Sequence, residues 1–271
     1  MFVPSQQSLD HEPRPANAVA WSAIVFALGF PTLVTWIYFI ALHGTPPWLQ
    51  QAAYTLGKGI QFLFPVVWLF VLPRMLLRRV HQRSAMHALS DSSAVSACTA
   101  HSLYTLRASL AVGVVFGLTI LLAGVALYYG YLKPAGLFDS AANEVREKIE
   151  SMGLSSLPVY VAMAVFYSLI HSLLEEYYWR WFVLGQLQQM TRPAAAIVIS
   201  SIGFMAHHVL VLATFFGWNS PATYLFSAAV MIGGLAWAWL YRRGGTLLGP
   251  WVSHALVDAL IFVIGYDLLV G

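Results

Sequence analysis

Long apolar runs separated by short polar segments make up most of the chain. Seven of these runs approach or exceed the roughly 20 residues that an α-helix needs to cross a bilayer. They cover residues 18–42, 55–77, 107–132, 157–190, 194–216, 221–241 and 245–269. The pattern predicts an all-α fold, a polytopic transmembrane helical bundle of about seven spans. The fourth run is long enough to tilt or break, and a break would give eight spans.

The composition of the 271-residue chain supports a membrane protein. Hydrophobic residues make up 59% and charged residues only 9%, whereas a soluble domain carries roughly 25% charged residues. Membrane lipid is therefore the expected partner of its surface. The single cysteine, Cys98, excludes an internal disulfide and a cysteine-based metal site. We find no glycine-rich phosphate loop or basic-aromatic surface, and expect no nucleic-acid partner.

Arginines concentrate on one side of the predicted bundle. That side carries Arg74, Arg78, Arg79, Arg83, Arg107, Arg192, Arg242 and Arg243. The opposite side receives Lys58, Lys133, Arg146 and Lys148, partly offset by nearby acidic residues. Because cytoplasmic loops are enriched in basic residues, the arginine-rich side and the N-terminus are predicted to be cytoplasmic. We expect a bacterial inner membrane as the location.

The chain divides into three parts along its length. Residues 1–17 form a polar tail, and residues 18–156 contain the first three spans with their loops. Residues 157–271 contain the four spans with the candidate chemistry. The Ser- and Ala-rich residues 84–103 are predicted to be a mobile cytoplasmic loop. Residues 139–152 have helical polar-apolar spacing and are predicted to form a short interfacial helix.

Ionisable residues gather in the last four spans. Those deep within the predicted spans are Glu175, Glu176, Arg180 and Asp258, accompanied by His171, His207, His208 and His254. Such groups are costly in a bilayer, so they usually face the bundle interior and serve a function. At about 1.5 Å rise per residue, Glu175, His208 and Asp258 lie about 20 to 22 Å from the cytoplasmic ends of their spans. His254 lies about 14 Å from its own cytoplasmic end, so these side chains are expected to converge.

The spacing of these residues assigns them to helix faces. Glu176 and Arg180 are four residues apart, which predicts an ion pair within one helix. Glu175 points about 100° away from Glu176 and is free to face another helix. His254 and Asp258 share a face for the same reason. The adjacent His207 and His208 cannot easily face one centre, and packing is the favoured interpretation of His207. For His171, one turn before Glu175, structural and functional roles remain open.

Three short motifs on separate spans occur in a recognisable order. EEYYWR at 175–180 fits Glu-Glu-x-x-x-Arg, FMAHH at 204–208 fits Phe-x-x-x-His, and HALVD at 254–258 fits His-x-x-x-Asn/Asp. In this order they resemble the CPBP (Abi) family of intramembrane proteases. That family includes the type II CAAX prenyl endopeptidases and bacterial relatives linked to bacteriocin processing and self-immunity. The resemblance covers about residues 157–269, and the first three spans carry no assignable motif.

The resemblance implies different catalytic roles for these residues. Glu175 would act with His208 to activate water, and His254 with Asp258 would stabilise the developing oxyanion. Glu176, Arg180 and Phe204 would support these catalytic residues. The prenyl endopeptidases have Asn at the position of Asp258, and an ionised Asp cannot donate a hydrogen bond. Asp258 must therefore be protonated or orient His254, and we favour orientation.

Other functions compete with glutamate-type proteolysis. No cofactor is expected, but Glu175, His208 and His254 could instead bind a catalytic zinc, with Glu176 as base. A catalytically silent relative could act by binding, as a membrane scaffold or immunity factor. A proton-coupled transporter is disfavoured because the ionisable groups form one local cluster without an inverted repeat. The sequence favours an intramembrane endopeptidase acting on membrane-associated peptides or proteins.

Overall fold

The computed structural model describes residues 15–71, 92–151 and 156–270. These residues are predominantly helical, and no strand occurs among them. Six of the described helices are long and apolar enough to span a membrane. They cover Val19–Ala41, Leu106–Leu132, Leu157–Met190, Pro193–Phe216, Pro221–Gly244 and Leu248–Val270. The predicted all-α bundle of about seven spans is confirmed, and the chain is an integral membrane protein.

Eight helices, named in chain order, organise the described residues. They are α1 Pro15–Trp36, α2 Pro47–Val66, α3 Ser92–Leu127, α4 Asp139–Ser151, α5 Leu157–Met190, α6 Pro193–Phe216, α7 Pro221–Gly244 and α8 Leu248–Val270. The π-helical turns Ile37–Ala41, Val67–Val71 and Tyr128–Leu132 extend α1, α2 and α3. α5 contains two π-helical segments but does not break, so it provides one span.

The N-terminal half differs from the sequence prediction in two places. α2 begins at Pro47, well before the predicted start of the second span at residue 55. It is not among the six candidate spans, and residues 72–91 lie outside the described part. The loop predicted at 84–103 is wrong for 92–103, where α3 has already begun. Its many alanines favour helix over loop; residues 84–91 lie outside the described part.

Two other predicted segments can be compared with the structure. The short helix expected at 139–152 is present as α4, Asp139–Ser151. Of the polar tail 1–17, residues 1–14 lie outside the described part and α1 starts at Pro15.

Prolines and glycines set the ends of the last three helices. Pro193 and Pro221 occupy the first turns of α6 and α7, where a missing backbone N–H costs nothing. Gly217 and Gly245 follow those helices with φ of 85° and 63°, values that favour glycine. The Gly245 N–H donates to the Tyr241 carbonyl at 2.8 Å, which closes α7. These signals keep the loops short and the neighbouring helices antiparallel.

α3 and α8 approach each other through glycines. A Cβ on Gly113 would clash with the backbone of Gly249, lying 2.6 Å from its Cα. A Cβ on Gly117 would lie 2.8 Å from the Cα of Ser253 and 2.8 Å from Leu256 Cδ1. Small residues allow such close helix packing within a bilayer, where helix association depends on van der Waals contact. α3 thereby fixes the position of α8.

An aromatic core joins α5 to α1, α6 and α7. Tyr178 and Trp179 of α5 are buried against Phe204 of α6 and Trp237 of α7. The Tyr178 hydroxyl also donates to the carbonyl of Ala27 in α1 at 2.8 Å. Because the core surrounds the segment of α5 that follows the paired glutamates, it fixes that segment among three other helices.

The close α3–α8 contact can be tested by adding one methyl group. Gly113→Ala should destabilise the protein by about 1–3 kcal/mol, because overpacking forces the two backbones apart. Gly59→Ala in α2 is the matched control, since nothing lies within 4 Å of the added Cβ. Thermal unfolding of both variants in detergent measures the difference. Equal midpoints would show that α3 and α8 are not held together by this contact.

Candidate active site

α5 presents the two adjacent glutamates from an unusual stretch of helix. Glu175 and Glu176 lie at the end of a short α-helical turn, Ser172–Glu176. π-helical segments flank this turn on both sides, at Phe166–His171 and Tyr177–Leu184. π-helical turns occur frequently at functional sites because they change which side chains face a neighbour. Both glutamates are buried.

Glu176 binds one side chain with each of its carboxylate oxygens. Its Oε2 lies 3.1 Å from Nε of Arg180, as the four-residue spacing predicts. Its Oε1 accepts a hydrogen bond from Nδ1 of His254 on α8 at 2.8 Å. All three side chains are buried, and charge-assisted contacts of this kind offset the cost of removing the charges from water. Glu176 therefore connects α5 to α8.

Aromatic rings surround the Arg180 guanidinium, the positively charged partner of Glu176. The Arg180 guanidinium carbon lies 4.6 Å from the ring centre of Phe204 and 5.3 Å from that of Trp237. Both distances are within the range of a cation–π interaction. The Trp237 indole also stacks on the His254 imidazole, with 4.0 Å between ring centroids and 16° between planes. The same aromatic groups thus hold both the arginine and the histidine.

Glu175 is surrounded by imidazoles from three helices. Its Oε1 lies 3.6 Å from Nε2 of His207 and 3.9 Å from Nε2 of His171. Its Oε2 lies 3.8 Å from Nε2 of His254. These distances exceed those of direct hydrogen bonds, and catalytic contacts in an unliganded site commonly tighten when substrate binds. The arrangement combines a buried carboxylate with nitrogen atoms that could accept or donate a proton.

His207 and His208 occupy different positions around Glu175. The buried His207 faces the Glu175 carboxylate, whereas its neighbour His208 is partly exposed. Nδ1 of His208 lies 2.8 Å from the carbonyl oxygen of Phe204, which can accept a hydrogen bond from it. The two imidazole centroids are 4.1 Å apart. The sequence favoured packing for His207, but the structure gives it the closer contact with Glu175.

Asp258 approaches His254 from the side opposite Glu176. Its Oδ1 lies 3.6 Å from Nε2 of His254, beyond hydrogen-bond distance. The short hydrogen bond that fixes the orientation of the imidazole is the one from Nδ1 to Glu176. The structure therefore assigns most of the orientation of His254 to Glu176, although the sequence favoured Asp258 for it.

The predicted zinc ligands are not assembled as a metal site. Within residues 15–71, 92–151 and 156–270, no group of three or more His, Cys, Asp or Glu has a metal-binding arrangement. Of the set Glu175, His208 and His254, His254 directs Nδ1 to Glu176 and His208 directs Nδ1 to Phe204. In both imidazoles, Nε2 is the nitrogen left for water, substrate or a metal ion.

Lys58 is a charged residue to which the sequence gave no role in the site. It lies within α2, about 16 Å along the helix from Pro47. Its Nζ lies 5.7 Å from the ring centre of Tyr54 and 5.5 Å from that of Phe62. It also interacts electrostatically with Glu175. The sequence did contain a signal for a role of Lys58. It is a lysine within an apolar run, with aromatic residues four positions before and after it.

Comparison with known proteins identifies the C-terminal region. The family model described as type II CAAX prenyl endopeptidase Rce1-like matches residues 157–260. A search of the curated proteins finds no match, and neither does a search of the solved structures. The matched region contains all three motifs and most of the helices that surround Glu175. The match of residues 157–260 to the type II CAAX prenyl endopeptidases supports the CPBP-family resemblance of the three motifs.

Proposed function

We propose that this protein is an endopeptidase that uses Glu175 and histidine to activate water within the membrane. The observation that carries the proposal is the buried Glu175 carboxylate, with imidazoles of three helices 3.6 to 3.9 Å away. The match of residues 157–260 to a family of endopeptidases also supports the proposal. The expected substrates are membrane-associated peptides or proteins, and nucleic acid is not expected to bind.

In the proposed reaction, Glu175 takes a proton from water while the resulting hydroxide attacks the scissile carbonyl carbon. The same carboxyl group then gives the proton to the leaving amine, so the acid and base steps balance. His208 would accept a hydrogen bond from the water through Nε2, since its Nδ1 is directed to the Phe204 carbonyl. His207 would hold the Glu175 carboxylate from the side of α6.

The oxyanion that forms on the carbonyl requires a donor, and His254 is proposed to provide it. Its Nδ1–H is donated to Glu176, so donation to the oxyanion requires a second proton on Nε2. Glu175, Glu176 and Asp258 surround this imidazole and would stabilise its doubly protonated form. We propose this electrostatic role for Asp258, in place of the orientation that the sequence favoured.

The location proposed for this reaction is a bacterial inner membrane with the N-terminus in the cytoplasm. The arginine-rich predicted loops support this orientation through the positive-inside rule. The carboxylate that activates water would then lie about 22 Å from the cytoplasmic end of α5. A cleavage site at this depth would be reached by a substrate segment that is itself embedded in the membrane.

Glu175→Ala tests whether proteolysis is the function. Protein termini are compared in membranes from cells that make equal amounts of wild type, Glu175→Ala or the control Glu147→Ala. Loss of the general base should lower cleavage by about 10²- to 10⁴-fold, so termini formed by wild type and Glu147→Ala should disappear. Glu147 is exposed on α4. Identical termini from wild type and Glu175→Ala, with both folded, would favour a scaffold or immunity role instead.

Asp258→Asn tests the role of the second acidic residue. An Asn amide can donate directly to the oxyanion, so this variant should keep activity within about threefold of wild type. Asp258→Leu, which removes both charge and donor, should lose about tenfold or more. The rates are measured on a peptide spanning a cleavage site found in the termini comparison. If Asn and Leu were equally inactive, a carboxylate would be required at this position.

Metal removal separates the glutamate mechanism from the zinc alternative. We expect purified protein that has been treated with chelator and shown by elemental analysis to be metal-free to retain its activity. This expectation is supported by the absence, among residues 15–71, 92–151 and 156–270, of a group of three His, Cys, Asp or Glu placed to hold a metal ion. Loss of cleavage on chelation, with recovery on adding Zn²⁺, would overturn the glutamate mechanism.

A further inference from the structure

Lys58 lies beside the candidate active site on a helix that carries no family motif. It belongs to α2, outside the matched residues 157–260. The rings of Tyr54 and Phe62, one turn away on either side, contact its ammonium group. Phe62 in turn lies 6.1 Å, centroid to centroid, from the imidazole of His171. This face of α2 therefore packs beside the helix that carries Glu175.

A second contact fixes the same face of α2 against α5. The phenol groups of Tyr54 and Tyr167 interact with each other. The ring of Tyr167 lies 4.9 Å from His171, whose Nε2 lies 3.9 Å from Glu175 Oε1. Two aromatic connections thus run from the neighbours of Lys58 to the neighbours of Glu175. These contacts place the face of α2 that carries Lys58 beside the part of α5 that carries Glu175.

The two glutamates differ in how their charges are balanced. Glu176 has Arg180 as its counter-charge at 3.1 Å. The groups that face Glu175 from α5, α6 and α8 are His171, His207, His254, and more distantly His208 and Asp258. None of them carries a permanent positive charge, and Arg180, which also interacts with Glu175, is already paired with Glu176. A buried carboxylate without such a partner is costly in a membrane, and Lys58 is the lysine or arginine that α2 brings to this side.

We propose that Lys58 is a positioning residue that keeps the Glu175 carboxylate ionised and directed toward the reacting water. The proposal rests on the proposed function of Glu175 as general base. The rings of Tyr54 and Phe62 hold the ammonium group by cation–π contact, which limits its movement. Lys58 acts through the carboxylate and does not itself contact the scissile bond.

Activity measurements test the charge of Lys58 separately from its size. The rate at which wild-type-dependent termini appear is compared for Lys58→Met, Lys58→Arg and Lys133→Met. Lys58→Met should lose about tenfold or more, whereas Lys58→Arg should recover most of that loss because the charge is kept. Lys133, which pairs with Asp267 at 2.5 Å on another helix, is the matched control and should behave as wild type. Met and Arg variants with equal rates would overturn the proposal.

A double-mutant cycle tests the same contact without proteolysis. Thermal midpoints in detergent are measured for Lys58→Met, Glu175→Gln and the double variant. Each single change removes one charge and leaves the other uncompensated, so the double variant should be less destabilised than the sum of the two. Additive effects would show that Lys58 does not interact with Glu175. Should Lys58→Met fail to fold, Lys58→Gln replaces it in both experiments.

The two experiments also distinguish the two proposals. If Glu175→Ala cleaves as well as wild type, the proposed general base is wrong, whatever the coupling shows. If Glu175→Ala is inactive while Lys58→Met is fully active and the cycle is additive, only the assignment of Lys58 fails.

Discussion

The cost of an uncompensated charge in hydrocarbon governs the arrangement of this bundle. Two contacts of Glu176 offset that cost: one with Arg180 on its own helix and one with His254 on α8. Removing one partner of a buried charged pair typically costs about 3–5 kcal/mol, because the remaining charge is left without compensation. The contact is therefore strong enough to hold α5 and α8 together. It also directs the second nitrogen of His254 toward Glu175.

The adjacent glutamates consequently serve different purposes. Glu176 makes the shorter contacts, 2.8 Å to His254 and 3.1 Å to Arg180, so its position is held by two charged neighbours. Glu175 has only longer contacts with imidazoles and can change partners during a proton transfer. A single helix can offer both because consecutive side chains point about 100° apart. The Glu176 carboxylate holds α5 and α8 together, and the Glu175 carboxylate is available for the proposed reaction.

The sequence predicted the helical bundle, its last four spans and the Glu176–Arg180 ion pair. These features could be predicted because hydropathy and helical spacing are local properties of the chain. The sequence did not predict the contact of His207 with Glu175, since the rotation of α6 depends on its packing against α1, α5 and α7. It also missed that His254 is oriented by Glu176, a contact between residues distant in the chain. It gave Lys58 no role in the site, because the contact that brings α2 beside His171 joins residues distant in the chain.

The spans without motifs nevertheless shape the reaction site. α3 presses Gly113 and Gly117 against Gly249 and Ser253 of α8, and Ser253 immediately precedes His254. Any change that moves α3 would shift that imidazole, because the packed backbones leave no room for independent motion. α2 supplies the aromatic face that reaches His171 and carries Lys58. Residues 157–260 therefore contain the residues proposed to react, while the geometry and charge balance of the site depend on helices that precede them in the chain.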